Sequence, residues 1–147
     1  MADHHETIID RIRADHRRTL ERIAELERRA GAGRVGSQEP VFAPMQREII
    51  EHMAAEEEFV YLFLKQDRAL WIARSRGEHE QIRKHLAALR AGGLPAADWL
   101  ALLRAMRQLV EQHAAEEERV VLPEFAMTFG PERPRELGDE YARWTTE

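Results

Sequence analysis

Four histidines and two glutamates carry the chemistry open to this sequence. His52 is followed four residues later by Glu56, and His113 by Glu117, while His16 and His79 each follow an acidic neighbour, Asp15 and Glu78. Residues four apart on an α-helix lie one turn from each other on the same face, so each His-x-x-x-Glu presents an imidazole and a carboxylate to one point. Those are the donors that hold iron, manganese or zinc. The chain has no cysteine, which excludes thiolate ligation, iron–sulfur clusters, zinc ribbons and a disulfide framework. Any metal has to bind through His and carboxylate.

The arrangement occurs twice. Asp15-His16 followed by Ile23-Ala24-x-Leu26 matches Glu78-His79 followed by Leu86-Ala87-x-Leu89, and His52 to Val60 aligns without gaps to His113 to Val121. The lone His precedes the paired one by 36 residues in the first half and 34 in the second. The chain therefore reads as two helical hairpins related by a pseudo-twofold axis. A single His-x-x-x-Glu is an ordinary helix ion pair, and a single His on an apolar stripe is an ordinary core residue. The duplication sets the six apart, because burying so many ionisable groups is costly unless they are paired or bound to cations. Two carboxylates and four imidazoles suit two ions, each carboxylate bridging and each ion taking two nitrogens.

The elements that must position these residues are helices. With 147 residues the chain is one domain, and its 33% charged content, rich in Ala, Leu, Glu and Arg, is helical in character. Apolar residues recur at helical spacing in four blocks. The first runs from about Asp3, an N-cap with Glu6 three residues on, to Gly31 and Gly33, with the stripe Ile9, Ile12, His16, Leu20 and Ile23; Gly31 to Ala43 reads as a loop. The second starts near Pro44 and carries Ile49, His52, Glu56, Phe59 and Phe63 on one face. From Gln66 to Arg74 the pattern breaks, with Leu70, Trp71 and Ile72 as a short cap over the bundle end. Ser75 and Glu78 form a capping-box pattern opening the third helix, with His79, Ile82, Leu86 and Leu89 inward and Gly92 and Gly93 closing it. The fourth follows Pro95 and presents Leu102, Met106, Leu109, His113, Glu117 and Val120 or Val121; Pro123 ends or bends it. The expected fold is all-α, an up-down-up-down four-helix bundle over residues 1–130. A helical tail, 131–147, packs Leu137, Tyr141 and Trp144 outside it.

Composition narrows the partners. The net charge is −5, and Arg11, Arg13, Arg17 and Arg18 alternate with acids as on a solvated helix face, so nucleic acid is not expected. The longest apolar run, Phe59 to Leu64, is too short to span a membrane. The N-terminus lacks an apolar signal region, which makes the cytoplasm the default location. Neither the Glu-x-x-His of ferritin-like di-iron bundles nor the His-Glu-x-x-His of zinc proteases occurs. Glu57, Glu58, Glu116 and Glu118 read as solvated charge, and His85 faces away from His79. His4 and His5 could at most cap the mouth of a site whose walls are Phe59, Phe63, Met106, Leu20 and Leu109.

The order His, His-x-x-x-Glu, Glu-His, His-x-x-x-Glu-Glu ahead of Leu122-Pro123 resembles the haemerythrin-like HHE cation-binding proteins over roughly residues 5 to 126. The resemblance implies iron ligation by His16, His52, His79 and His113, with Glu56 and Glu117 as bridging carboxylates. The implied cofactor is a pair of non-haem iron ions with an oxo or hydroxo bridge, and the same donors accept manganese or zinc. The implied partners are dioxygen, peroxide or nitric oxide. Oxygen-carrying relatives usually add a fifth His one turn from the third-helix His, where this chain has Ser75 and Arg83. Each ion then keeps an open position, which favours reaction or sensing over simple carriage. Two functions follow as expectations: binding or reduction of dioxygen or peroxide, at its furthest a catalase- or peroxidase-like oxidoreductase, or a non-catalytic iron, oxygen or nitric oxide sensor or iron-binding protein. Repair of nitrosylated iron centres is a third, but relatives of that kind commonly carry a cysteine-bearing segment that is missing here.

Overall fold

The structure, a computed structural model, describes residues 7–61, 69–130 and 132–146. The helices are α1 (Ile8–Gly31), α2 (Phe42–Phe59), α3 (Ala69–Ala91), α4 (Ala96–Glu116), α5 (Leu122–Phe129) and α6 (Glu132–Thr146). A π turn, Glu117–Val121, joins α4 to α5. No strand occurs among the described residues. Helix α1 packs on α2, α2 on α3, α3 on α4, and α4 returns to α1, which is the expected four-helix bundle. No helix among the described residues is long and apolar enough to cross a membrane.

Several helix ends differ from those expected. The Thr7 side chain accepts the Asp10 N–H and the Asp10 carboxylate accepts the Thr7 N–H, both at 3.2 Å. This capping box, worth about 1 kcal/mol, starts α1 at Ile8. Asp3, His4, His5 and Glu6 lie outside the described residues, as do Phe63 and Gln66. Helix α2 begins two residues before Pro44, whose missing N–H falls in the first turn, where no intrahelical partner exists.

The largest correction concerns α3. The helix is continuous from Ala69, and Ser75 lies inside it, buried, rather than capping it. Serine is tolerated inside a helix when its hydroxyl finds a partner, here the Tyr61 hydroxyl at 3.2 Å. Leu70, Trp71 and Ile72 are its first turn and not a separate cap. Gly92 and Gly93, with φ of 75° and 83°, end α3 in the left-handed conformation open to glycine. Trp99 then donates its indole N–H to the Leu89 carbonyl at 3.0 Å, tying α4 to the end of α3.

The inward face of α4 is turned slightly from the expected one: Trp99, Leu103, Met106, Val110 and His113 are buried, while Leu102 and Leu109 sit half-buried at the edge. Pro123 does not end the helix. It has no N–H, and its ring would crowd the carbonyl of Arg119 in a regular helix. The ladder loosens instead, and the Leu122 N–H reaches back five residues to the Glu117 carbonyl.

The interior is built in three layers. One apolar cluster includes Ile23, Leu26, Phe42, Met45, Ile49, Ile82, Leu86, Trp99 and Met106. A second, at the other end, includes Ile8, Ile12, Val60, Tyr61, Leu122, Phe125, Leu137 and Tyr141. Between them lie His16, His52, Glu56, His79, His113 and Glu117, all buried. Helix α6 packs on α1 and α2, burying Leu137 and Tyr141. The side chain of Trp144 lies outside the described part.

Candidate metal centre

The middle layer brings all six predicted residues together from α1, α2, α3, α4 and the π turn. His16 Nε2 stands 3.1 Å from Glu117 Oε1, and His52 Nε2 stands 3.2 Å from Glu56 Oε1. His79 Nε2 is 3.2 Å from the same Glu56 oxygen, and His113 Nε2 is 3.4 Å from Glu117 Oε2. The donors form two groups, His16, His52, Glu56 and Glu117, and Glu56, His79 and His113, with the donor atoms in each within 4.8 Å of one another. Glu56 belongs to both.

His79 Nε2 and His113 Nε2 meet at 3.0 Å, but most of these atoms lie close without satisfying one another. His16 Nε2, His52 Nε2, both Glu56 oxygens and Glu117 Oε1 are buried and make no aligned hydrogen bond. Each such group costs about 1–3 kcal/mol, and more when charged. A cation at the centre would remove that cost, and His nitrogen with carboxylate oxygen is a donor set suited to it. The residues present therefore fit a metal ion.

The outward nitrogens explain why the imidazoles point inward. Asp15 stands 3.1 Å from His52 Nδ1, Glu118 2.9 Å from His16 Nδ1, Glu57 3.2 Å from His79 Nδ1, and Glu78 2.7 Å from His113 Nδ1. An Nδ1–H donated to a carboxylate fixes the tautomer and turns Nε2 to the centre. Glu57 and Glu118 are thus not the solvated charges that the sequence suggested. Glu58 is exposed and Glu116 half-buried, and neither reaches an imidazole. The acid before each lone His backs the paired His of its own hairpin, and the acid after each motif Glu backs the lone His of the other. The signal was present in the repeated Asp/Glu-His and Glu-Glu pairs.

The electrostatics show how the layer balances without metal. Burial alone would lower His52, but the Glu56 charge and the Asp15 hydrogen bond raise it to about 10. Burial is likewise outweighed at His113, which Glu117, Glu56 and Glu78 raise to about 12. Glu56 is opposed by burial yet held well below the usual carboxylate range, chiefly by His52. Imidazolium charge thus stands where a cation would stand, and a metal has to displace those protons.

Two tyrosines at the site were missed. The Tyr61 hydroxyl lies 3.0 Å from Glu117 Oε2 and 3.4 Å from His79 Nε2, and its only advance sign was a hydroxyl inside the apolar run Phe59 to Leu64. Tyr141, expected to pack outside the bundle, donates to Asp15 and lies 3.2 Å from His52 Nδ1. Burial, followed by nearby carboxylates, raises both phenols above their ordinary value and keeps them neutral.

Beside the layer lies a cavity of about 20 Å³ lined by His16, Thr19, Ile49, His52, Met53, Ile82, Val110 and His113. None of the expected walls, Leu20, Phe59, Met106 and Leu109, lines it, because the inward faces of α1 and α4 are turned to present Thr19 and Val110. His85 bonds through Nδ1 to the Gln81 carbonyl at 2.8 Å, away from the cluster.

No curated protein and no solved structure matches the chain. The family model for the hemerythrin HHE cation binding domain matches residues 7–125, from the α1 capping box to Phe125 in the second apolar cluster. A match over that span shows the family, and the chain belongs to the hemerythrin HHE cation-binding domain family.

Proposed function

We propose that this chain is a non-haem di-iron protein that binds dioxygen or peroxide, with His16, His52, His79, His113, Glu56 and Glu117 as the ligands. The observation that carries the reading is the set of four imidazoles, each backed by its own carboxylate on Nδ1 and aimed at two shared, buried glutamates whose oxygens, apart from Glu117 Oε2 with its Tyr61 contact, make no hydrogen bond. An iron pair would supply an open coordination position and redox capacity for a small oxygen ligand. The chain's own residues supply orientation and exclusion. The small cavity against His16, His52 and His113 is lined otherwise by Thr19 and apolar side chains. Its volume suits a molecule about the size of water or a diatomic gas, and nitric oxide fits the same description. In this reading residues 1–130 are the metal-holding domain and 131–147 a tail packed on it.

The test is metal analysis of protein purified from its own host, followed by optical spectra with and without oxygen and peroxide. Two irons per chain and a spectrum that responds to either ligand are expected. Glu117→Ala should lose stoichiometric iron, and full retention of both ions would refute the ligand assignment. Sustained peroxide consumption would extend the reading to a catalase- or peroxidase-like enzyme.

A second reading, a non-catalytic iron, oxygen or nitric oxide sensor, is favoured by the Tyr141 contact, which couples α6 to His52 through Asp15. A sensor of this kind gains stability with metal, so equal melting temperatures of metal-free and loaded protein would count against it.

A further inference from the structure

The two halves of the polar layer differ where the internal repeat places unlike residues. Continuing the alignment of His52–Val60 on His113–Val121 by one residue sets Tyr61 against Leu122. Aligning His16 with His79 sets Ile12 against Ser75. Leu122 and Ile12 are fully buried and apolar, whereas Tyr61 and Ser75 place two hydroxyls 3.2 Å apart at the edge of the layer. One half therefore carries a phenol oxygen that its twin lacks.

That oxygen stands where a metal donor would stand. Ligands about 2 Å from one ion in octahedral geometry lie roughly 3 Å from their neighbours. His79 Nε2 keeps that spacing to His113 Nε2, 3.0 Å, and to Glu56 Oε1, 3.2 Å. The Tyr61 oxygen extends the set, 3.4 Å from His79 Nε2 and 3.0 Å from Glu117 Oε2. Its ring is 2% exposed and stacks on His79 with centroids 5.7 Å apart, so the hydroxyl has little room to turn away. Arg83, the other position one turn from His79, bonds Glu57 at 3.1 Å instead of facing the layer. The group Glu56, His79 and His113 also counts one donor fewer than the group on the His16 side.

We infer that Tyr61 is an oxygen ligand of the ion held by Glu56, His79 and His113, which leaves only the ion on the His16 and His52 side open to a small ligand. The inference rests on the proposed metal centre. On binding, the phenol O–H bond breaks as the oxygen–metal bond forms, and the proton leaves to solvent; no electron is transferred. Ser75 holds the phenol in place. The cavity touches both His16 and His52 and, of the other group, His113 alone; Tyr61 does not line it.

The experiment loads the full chain with ferrous iron, oxidises it in air and records the visible and resonance Raman spectra. A phenolate-to-ferric charge-transfer band with enhanced tyrosine ring modes is expected in the wild type. Tyr61→Phe, which removes only the oxygen, should lose the band while still binding iron, and Tyr141→Phe should keep it. Two bound irons without the band, or a band that survives Tyr61→Phe, overturns the ligand alone; absence of iron from the wild type sinks the metal centre and this ligand with it. Should Tyr61→Phe fail to fold, the ring modes decide: a shift on growth with ring-deuterated tyrosine, retained in Tyr141→Phe, supports Tyr61, and its absence or its loss in Tyr141→Phe refutes it.

Discussion

The His52 hairpin and the His113 hairpin carry the same motif but leave the polar layer in different ways. After Glu56, helix α2 stops at Phe59 and the chain turns the Tyr61 hydroxyl back towards Glu117. After Glu117, the chain passes through a π turn into α5 and buries Leu122 at the equivalent place. The outer supports differ as well. Asp15, behind His52, is itself held by buried Tyr141 from α6. Glu78, behind His113, is supported among the described residues by the largely exposed Arg74, 3.8 Å away. Inner donors thus follow the repeat because they depend on spacing within a helix, while their supports follow what the rest of the chain packs against each half.

The largest effect should come from removing what the halves share. Glu56→Ala deletes the carboxylate common to both donor groups, and metal analysis should show both ions lost; one ion retained per chain would mean the halves bind independently. Next comes pH in the metal-free protein. His52 and His113 have folded values of about 10 and 12, above the ordinary 6.5, so their stabilisation is complete below 6.5 and is lost as pH rises towards those values. Glu56, Asp15, Glu57 and Glu78 are lowered, so theirs is present above the ordinary carboxylate range and lost in acid. The melting temperature without metal should peak between about pH 5 and 6.5 and fall by pH 9. A profile flat to pH 9 would show that imidazolium charge does not hold the empty layer.

Smaller changes separate the halves. Asp15→Asn and Glu78→Gln should each weaken metal affinity, by roughly 10- to 100-fold for such outer partners, as competition with a chelator would measure. Asp15→Asn should cost more, since it also disturbs Tyr141; equal losses would mean that α6 adds nothing to its half. The smallest effect is expected from Tyr141→Phe, about 1 kcal/mol by denaturant titration, because only the hydroxyl with its contacts to Asp15 and His52 is lost and the packing is kept.

Much of this arrangement was legible beforehand. The spacing of His79, Ile82, Leu86 and Leu89 predicts one inward face, and all four are buried, since helical periodicity records burial directly. Ser75 misled because a hydroxyl before a glutamate reads equally well as a cap and as a buried helical residue with a distant partner, and nothing local distinguishes the two. Thr19 in place of Leu20, and Val110 in place of Leu109, reflect a small rotation about the helix axis that the apolar stripe is too broad to specify.

By itself the sequence determined the four helices, the inward face of each ligand candidate and the twofold character of the set, because residues one turn apart on a helix share a face whatever the helix packs against. Only the tertiary structure decided which acid backs which imidazole, that Tyr61 faces the layer while Leu122 fills the apolar end, and that Tyr141 reaches Asp15 from 126 residues away. Such contacts depend on how far each helix is rotated and shifted against its neighbours, and that is set by packing summed over the whole core, which no local spacing encodes.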